Sequence, residues 1–307
     1  MKLLRRINLL REFGYKVFLA DFCASNIRIP TLTARWKDKV LTGWLRKNYR
    51  HIVDKYQQQD TSPQDTSSSC VWSMWWQGED NLPEVIQLCF GNIKRHCGSH
   101  PFIVITKDNY RDYVNLPEYI IRKVEAGTIT LTHFSDIVRM YLLSHYGGMW
   151  IDATILVTKD IPEGVFSANY FTLKRETNPK LYISMNRWAG NLQAVKKDNN
   201  LCAFCLDMFL EYWKTHNMLI DYVMIDYVIA LAYDDLPECR KMIDSVPTGN
   251  YAFDDLQPLL NSAWDSEKYA DMMNDTQFFK LTYKHTFMKS SHGHETFYGY
   301  IIRNLMA

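Results

Sequence analysis

THFSDIVRMYLLSHYGGMWIDATILVT, residues 132–158, is the stretch from which the fold is read. Ile137, Val138, Tyr141 and Leu142 recur at helical spacing, and Ser135 or Asp136 is a natural N-cap before them. Gly147-Gly148 reads as a helix stop, because glycine is preferred where the backbone turns left-handed. Beyond it the period changes. Met149, Ile151, Ala153, Ile155 and Val157 alternate with Trp150, Asp152, Thr154 and Leu156. The pattern predicts an amphipathic helix, a glycine turn and one apolar strand over 149–157, with Asp152 and Thr154 on the same face. A carboxylate inside such a strand is costly unless it is paired or bound to a metal. Asp152 is therefore the first candidate for a functional site.

Upstream, the apolar aromatic run at 70–76 stops at Gln77-Gly78, a strand and then a turn. Residues 82–97 form an amphipathic helix with Pro83 in its first turn, and FIVIT at 102–106 is a buried strand. Residues 109–117 lead into a further helix. Strand and helix units alternating at this size predict an α/β domain with a largely parallel sheet. Downstream lie helices near 201–214 and 221–233, and a tail from Phe278 that reads as strand, polar loop and closing helix. Two helical patterns at 1–24 and 33–56 make an N-terminal arm, residues 1–56. QQQDTSPQDTSSS at 57–69 is a polar linker, so the main domain is expected over 70–307.

With 47% hydrophobic and 22% charged residues, the 307-residue chain is globular in composition. A net charge of +1 argues against nucleic acid as a partner. The charge is unevenly spread: residues 1–55 carry 13 Lys/Arg and 4 Asp/Glu, against 22 and 30 in the rest. Such a basic amphipathic arm suits an anionic membrane surface. It equally suits packing on the main domain with its cations in solvent. Cys202 and Cys205 have CxxC spacing, but on an apolar helical face, which points to buried free thiols rather than zinc. No apolar run approaches the roughly 18–20 residues that span a bilayer. Arg5, Arg6, Arg11, Glu12 and Lys16 interrupt the N-terminal pattern. The expected location is cytoplasmic, at most peripheral on the inner face of the plasma membrane.

WWQG at 75–78, HFSD-x-x-R at 133–139 and YGG-x-WID at 146–152, in that order, resemble the capsular polysaccharide synthesis proteins. These bacterial enzymes are similar to glycosyltransferase family 32 and, more remotely, to the large glucosylating toxins. The resemblance continues more softly through NRW (186–188), EYW (211–213), DY-x-x-ID (221–226) and KLTYK (280–284), about three quarters of the chain in all. It implies a GT-A fold (the Rossmann-like nucleotide-diphospho-sugar transferase), a nucleotide-sugar donor, a divalent cation (Mn²⁺ or Mg²⁺) and retention of anomeric configuration. It further implies that Trp75 stacks on the nucleobase, with Gln77 and Gly78 lining the same slot. Ser135, Asp136 and Arg139 would contact the nucleotide and donor sugar. Asp152 would hold the first position of an Asp-x-Asp metal element, whose second position here is Thr154.

A hydroxyl is a much weaker ligand for hard divalent cations than a carboxylate. The metal is accordingly expected on Asp152 and Thr154 with help from His285, His292 or His294, or with Lys284 as a substitute cation. Asp226 is read as orienting the acceptor hydroxyl. Plainer readings stand beside these: Asp136 with Arg139 as an ordinary i, i+3 pair, Trp75 as core, the histidines as solvated, and Asp226 as a paired surface carboxylate. The expected function is transfer of a sugar, by resemblance from a UDP-sugar, to a glycan or lipid-linked oligosaccharide in surface polysaccharide synthesis. The alternative is a transferase-like module that binds nucleotide or glycan within an assembly complex.

Overall fold

The computed structural model describes residues 2–27, 30–58, 70–177 and 183–306. Four helices come first: α1 (Lys2–Phe13), α2 (Tyr15–Asn26), α3 (Pro30–Asn48) and α4 (Arg50–Gln57). Then follow β1 (Val71–Met74), α5 (Glu84–His96), β2 (Phe102–Ile105), α6 (Tyr110–Tyr113) and α7 (Glu118–Glu125). Residues 131–157 contribute α8 (Leu131–His145), β3 (Gly148–Ile151) and β4 (Ile155–Val157). After it come α9 (Glu163–Ser167), β5 (Tyr170–Thr172), β6 (Leu192–Val195), α10 (Asn200–Thr215), α11 (Met224–Asp235) and α12 (Pro237–Asp244). The chain closes with α13 (Leu256–Leu259), α14 (Ser266–Asp275), β7 (Phe278–Lys280), the hairpin β8 (Ser290–Ser291) and β9 (His294–Glu295), and α15 (Phe297–Leu305). Of the expected linker, residues 59–69 lie outside the described residues.

The fold is mixed α/β around a five-stranded sheet of order β2-β1-β3-β6-β5. β1 runs parallel to both β2 and β3, whereas β6 is antiparallel to β3 and β5 to β6. The expected largely parallel sheet is therefore parallel on one side only. Among the described residues between β4 and β6, the chain carries one helix, the five-residue α9, not the long crossover helix that usually returns a strand in parallel.

The single strand expected over 149–157 is two strands in two sheets. Ile155 N–H donates to the Asp152 carbonyl at 2.9 Å, closing a turn, and β4 then pairs antiparallel with β7. The alternation nevertheless survives the break. Met149, Ile151, Ala153, Ile155 and Val157 all enter one buried cluster, while Trp150 enters the cluster shared with α8. The helix also starts earlier than expected: Thr130 is its N-cap, its side chain accepting from His133 N–H, which leaves Ser135 and Asp136 in the body of the helix. Gly147 ends it at φ +68°, and a Cβ there would meet Lys197 N at 2.5 Å.

The helical pattern of residues 1–24 breaks at Gly14 (φ +83°), giving α1 and α2. Both belong to the largest buried cluster, where Leu9, Phe13, Leu41, Leu45 and Tyr56 join Phe204, Tyr212, Trp213 and Val228. Lys37 ties the same helices down, 3.2 Å from Asp21 and 2.6 Å from Asp221. All seven cysteines are free, with Cys202 and Cys205 fully buried, as expected. Among the described residues no helix is long and apolar enough to cross a membrane.

Candidate functional site

The chain runs from β1 to β2 on one side and then returns to place β3 on the other side of β1. In a parallel sheet the carboxyl ends of two strands that diverge in this way leave a crevice. Trp75 follows β1 there and Asp152 follows β3, and both line a cleft of about 420 Å³. Ser135, Asp136 and Arg139 reach it from α8, Asp226 from α11, and Tyr283 from the segment after β7.

Arg139 is the hub of this wall. It is 4% exposed, and its Nη2 lies 3.1 Å from Asp152 Oδ1 and 3.4 Å from Asp136 Oδ1. Its Nη1 donates to the Gly190 carbonyl, and its guanidinium lies over the Trp150 ring, 5.0 Å from the centroid. The i, i+3 pair expected from spacing exists, but the guanidinium also spans from helix to strand end. Trp150 Nε1 donates to Asp152 Oδ1 at 2.8 Å, and His133 Nδ1 lies 3.3 Å from Asp136 Oδ2. On the other side of Asp152, Lys280 Nζ is 3.4 Å from Oδ2 and 2.7 Å from Thr154 Oγ1. Burial pushes the Asp152 carboxyl up, but the Lys280 and Arg139 charges and the Trp150 hydrogen bond outweigh it and hold the group below its ordinary range.

Asp226 behaves in the opposite sense. Burial raises its pKa to about 6, with the Asp136 charge adding to the rise and the hydrogen bond from Trp188 Nε1 at 2.9 Å opposing it. Trp188 is the tryptophan of the NRW stretch. The other aspartate of DY-x-x-ID, Asp221, is taken up by Lys37. The two carboxylates of one motif thus have different work, one anchoring an N-terminal helix and one lining the cleft.

Of the three neighbouring tryptophans only Trp75 reaches the cleft, its ring edge-on to Tyr283 at 5.1 Å. Trp72 is buried and donates to the Gly147 carbonyl, and Trp76 packs on Phe134. Gln77 and Gly78 form the turn after β1, Gly78 at φ +88°, and are not part of the cleft lining. Lys284 and His285 are exposed beyond Tyr283, and His292 and His294 are exposed on the β8–β9 hairpin; none lines the cleft. Thr154 does line it. Two residues of this neighbourhood were not read from the sequence as site residues: Tyr283, which lines the cleft, and Lys280, which touches Asp152 and Thr154 from behind the lining. Lys280 carried the same signal as Asp152, a charge within an apolar strand run (FFKL).

The sequence pattern of the capsular polysaccharide synthesis proteins matches residues 26–301. A relative, O-glycosyltransferase braB of Annulohypoxylon truncatum, is 25% identical over 198 residues, which are 58% of this chain and 42% of that protein's length. The chain thus spans less than half of that relative. Among solved structures, the glycosyltransferase PaToxG is similar at a TM-score of 0.37 and 12% identity, over 68% of this chain and 83% of that one, a superposition too loose to build on.

Proposed function

This chain belongs to the capsular polysaccharide synthesis protein family, and on that premise we propose that it is a glycosyltransferase of GT-A type. Its donor is a nucleoside-diphosphate sugar, by the resemblance a UDP-sugar, and its acceptor a glycan or lipid-linked oligosaccharide. The observation that carries this reading is the convergence of Asp136, Arg139, Asp152 and Asp226 with Trp75 and Tyr283 in one cleft at the switch point of the sheet.

Transfer breaks the bond from the anomeric carbon to the diphosphate oxygen, which leaves with the electron pair, and forms a bond to the acceptor oxygen, whose proton is released. Trp75 and Tyr283 offer the base an aromatic corner. Ser135 and Asp136, carried on a rigid helix, present polar atoms to ribose and sugar hydroxyls. Arg139 acts as a positioning residue, holding Asp136 and Asp152 at fixed separation. Asp226, titrating near 6, is ionised at neutral pH and accepts the acceptor hydroxyl. Retention carries over from the resemblance and is read from the anomeric coupling of the product.

The residues present do not fit the expected divalent cation. Asp152 already meets Arg139, Trp150 and Lys280, and Thr154 supplies only a hydroxyl beside the Lys280 ammonium. Among the described residues no three His, Cys, Asp or Glu side chains group as metal ligands do.

The exposed face of α1–α3 supports an attachment to an anionic membrane surface, where a lipid-linked acceptor would lie. Leu4, Leu10, Phe22, Leu32 and Trp36 are exposed there among exposed Arg11, Lys16 and Lys39.

The test is nucleoside-diphosphate release from a panel of nucleotide sugars by wild type and Asp152→Asn. The variant is expected to lose about 100-fold or more in kcat. Near wild-type turnover in it would overturn the assignment. Nucleotide binding without turnover of any donor would favour the binding module that Thr154 suggests.

A further inference from the structure

Lys280 ends β7, whose pairing with β4 places it directly beside Ile155. Its ammonium lies between Thr154 Oγ1 at 2.7 Å and Asp152 Oδ2 at 3.4 Å, and 30% of its side chain remains exposed. An ammonium has three donors. Lys280 stands behind the cleft lining: two donors are directed at Asp152 and Thr154, which do line the cleft, and the third is left for a ligand that reaches past this edge.

A dication held by two carboxylates is neutral overall, and a diphosphate then binds to a neutral but polarising centre. With one carboxylate and one hydroxyl a dication leaves an uncompensated positive charge, and Thr154 is a poor ligand for it. Asp152 with a monocation is neutral again. Lys280 is that monocation, already in place behind the lining; Arg139 bridges Asp136 and Asp152, and Asp226 stands outside this exchange. Removing one carboxylate from the pair and one charge from the cation leaves the balance unchanged.

We propose that Lys280 takes the charge-balancing place of a divalent cation, so that a nucleoside diphosphate binds this cleft without metal, its phosphate oxygens on the Lys280 ammonium. This rests on the reading of the cleft as a nucleotide-sugar site. In transfer the leaving diphosphate keeps the electron pair of the broken bond. Lys280 stays protonated throughout and lowers the cost of the charge that develops on the leaving oxygen. No proton has to move through it.

The experiment is calorimetric titration with UDP, and with uridine as the comparator that lacks phosphate, in EDTA and in Mn²⁺. Wild type, Lys280→Met and Lys280→Arg are compared; methionine keeps the length of the stem and arginine keeps the charge. Wild type is expected to bind UDP in EDTA with an affinity within about threefold of that in Mn²⁺. Lys280→Met is expected to weaken UDP by about tenfold or more, the loss of one charge-assisted hydrogen bond, while uridine stays within about twofold. Lys280→Arg should restore most of the loss. UDP binding that requires Mn²⁺, or Lys280→Met binding UDP as wild type does, overturns the inference. A wild-type protein that binds none of UDP, GDP, CDP and ADP in either buffer overturns instead the proposed function beneath it.

Discussion

Asp226 has the titration best placed for pH work. Its folded-state pKa of about 6 lies above the ordinary 3.8, chiefly through burial, so the folded protein holds this proton more tightly than the unfolded chain. The resulting stability is full below about pH 4 and is lost as pH rises through about 6. Asp226→Asn should therefore unfold at nearly the same denaturant midpoint as wild type near pH 4, and be the more stable of the two at pH 7, by up to about 3 kcal/mol. Its turnover should fall at every pH. The wild-type kcat should climb between pH 5 and 7 with an inflection near 6, where the carboxylate becomes able to accept the hydroxyl. A wild-type profile flat across that range would remove Asp226 from the acceptor side.

At the scale of elements, the joint between α8 and β3 has no room for a side chain. Gly147 sits at φ +68°, and a side chain there would also drive a Cβ into the backbone of Val195, Lys196 and Lys197, all within 2.9 Å. Gly147→Ala is expected to cost at least about 2 kcal/mol in urea unfolding, the sum of a left-handed L-residue and a clash with rigid backbone. Gly190→Ala is the control: its Cβ would rest 3.6 Å from Arg139 Nη1 and 3.8 Å from Asp226 Oδ1, ordinary contacts, so stability should change little. Equal costs in the two variants would contradict this account. The helix N-terminus was harder to read than its end. Thr128, Thr130, Thr132, Ser135 and Asp136 are all capping types within nine residues, and Phe134, fully buried, extends the apolar face a turn further back than the spacing from Ile137 suggests.

For the whole molecule, the N-terminal helices decide how membrane attachment can be tested. Among the described residues, nine large apolar side chains between Leu4 and Trp36 are exposed, while Leu9, Phe13, Val17, Leu41 and Leu45 on the same helices close the core over α10 and α11. Deleting residues 1–56 would strip Phe204, Tyr212 and Trp213 of their cover, so loss of binding in such a deletion would say nothing about membranes. The informative variant is Leu4→Ser, Leu10→Ser and Leu32→Ser together, all on exposed positions. Wild type should float with phosphatidylglycerol vesicles and less with phosphatidylcholine, and its binding should weaken as salt rises. The triple variant should stay in the dense fraction with its melting temperature unchanged. Flotation of the variant equal to that of wild type would rule this face out.

What the sequence determined by itself is the local order of one segment: helix, glycine joint and strand, with Asp136 and Arg139 one helical turn apart; the meeting of both with Asp152 was implied by the family resemblance. Helical and strand periods, a glycine forced by φ and an i, i+3 pair act over a few residues, so spacing alone reports them. The alternation of faces through 149–157 was legible for the same reason, even though the strand itself breaks. The tertiary structure decided the rest. Lys280 lies 128 residues from the aspartate it pairs with, Trp188 lies 38 from Asp226, and Lys37 reaches Asp221 across the junction of arm and core. Whether β6 runs parallel or antiparallel, and whether a basic helix faces solvent or core, likewise depends on which surfaces remain uncovered once the other elements have packed. A long-range ion pair leaves no period in the chain, because only the folded backbone brings its two charges within 4 Å.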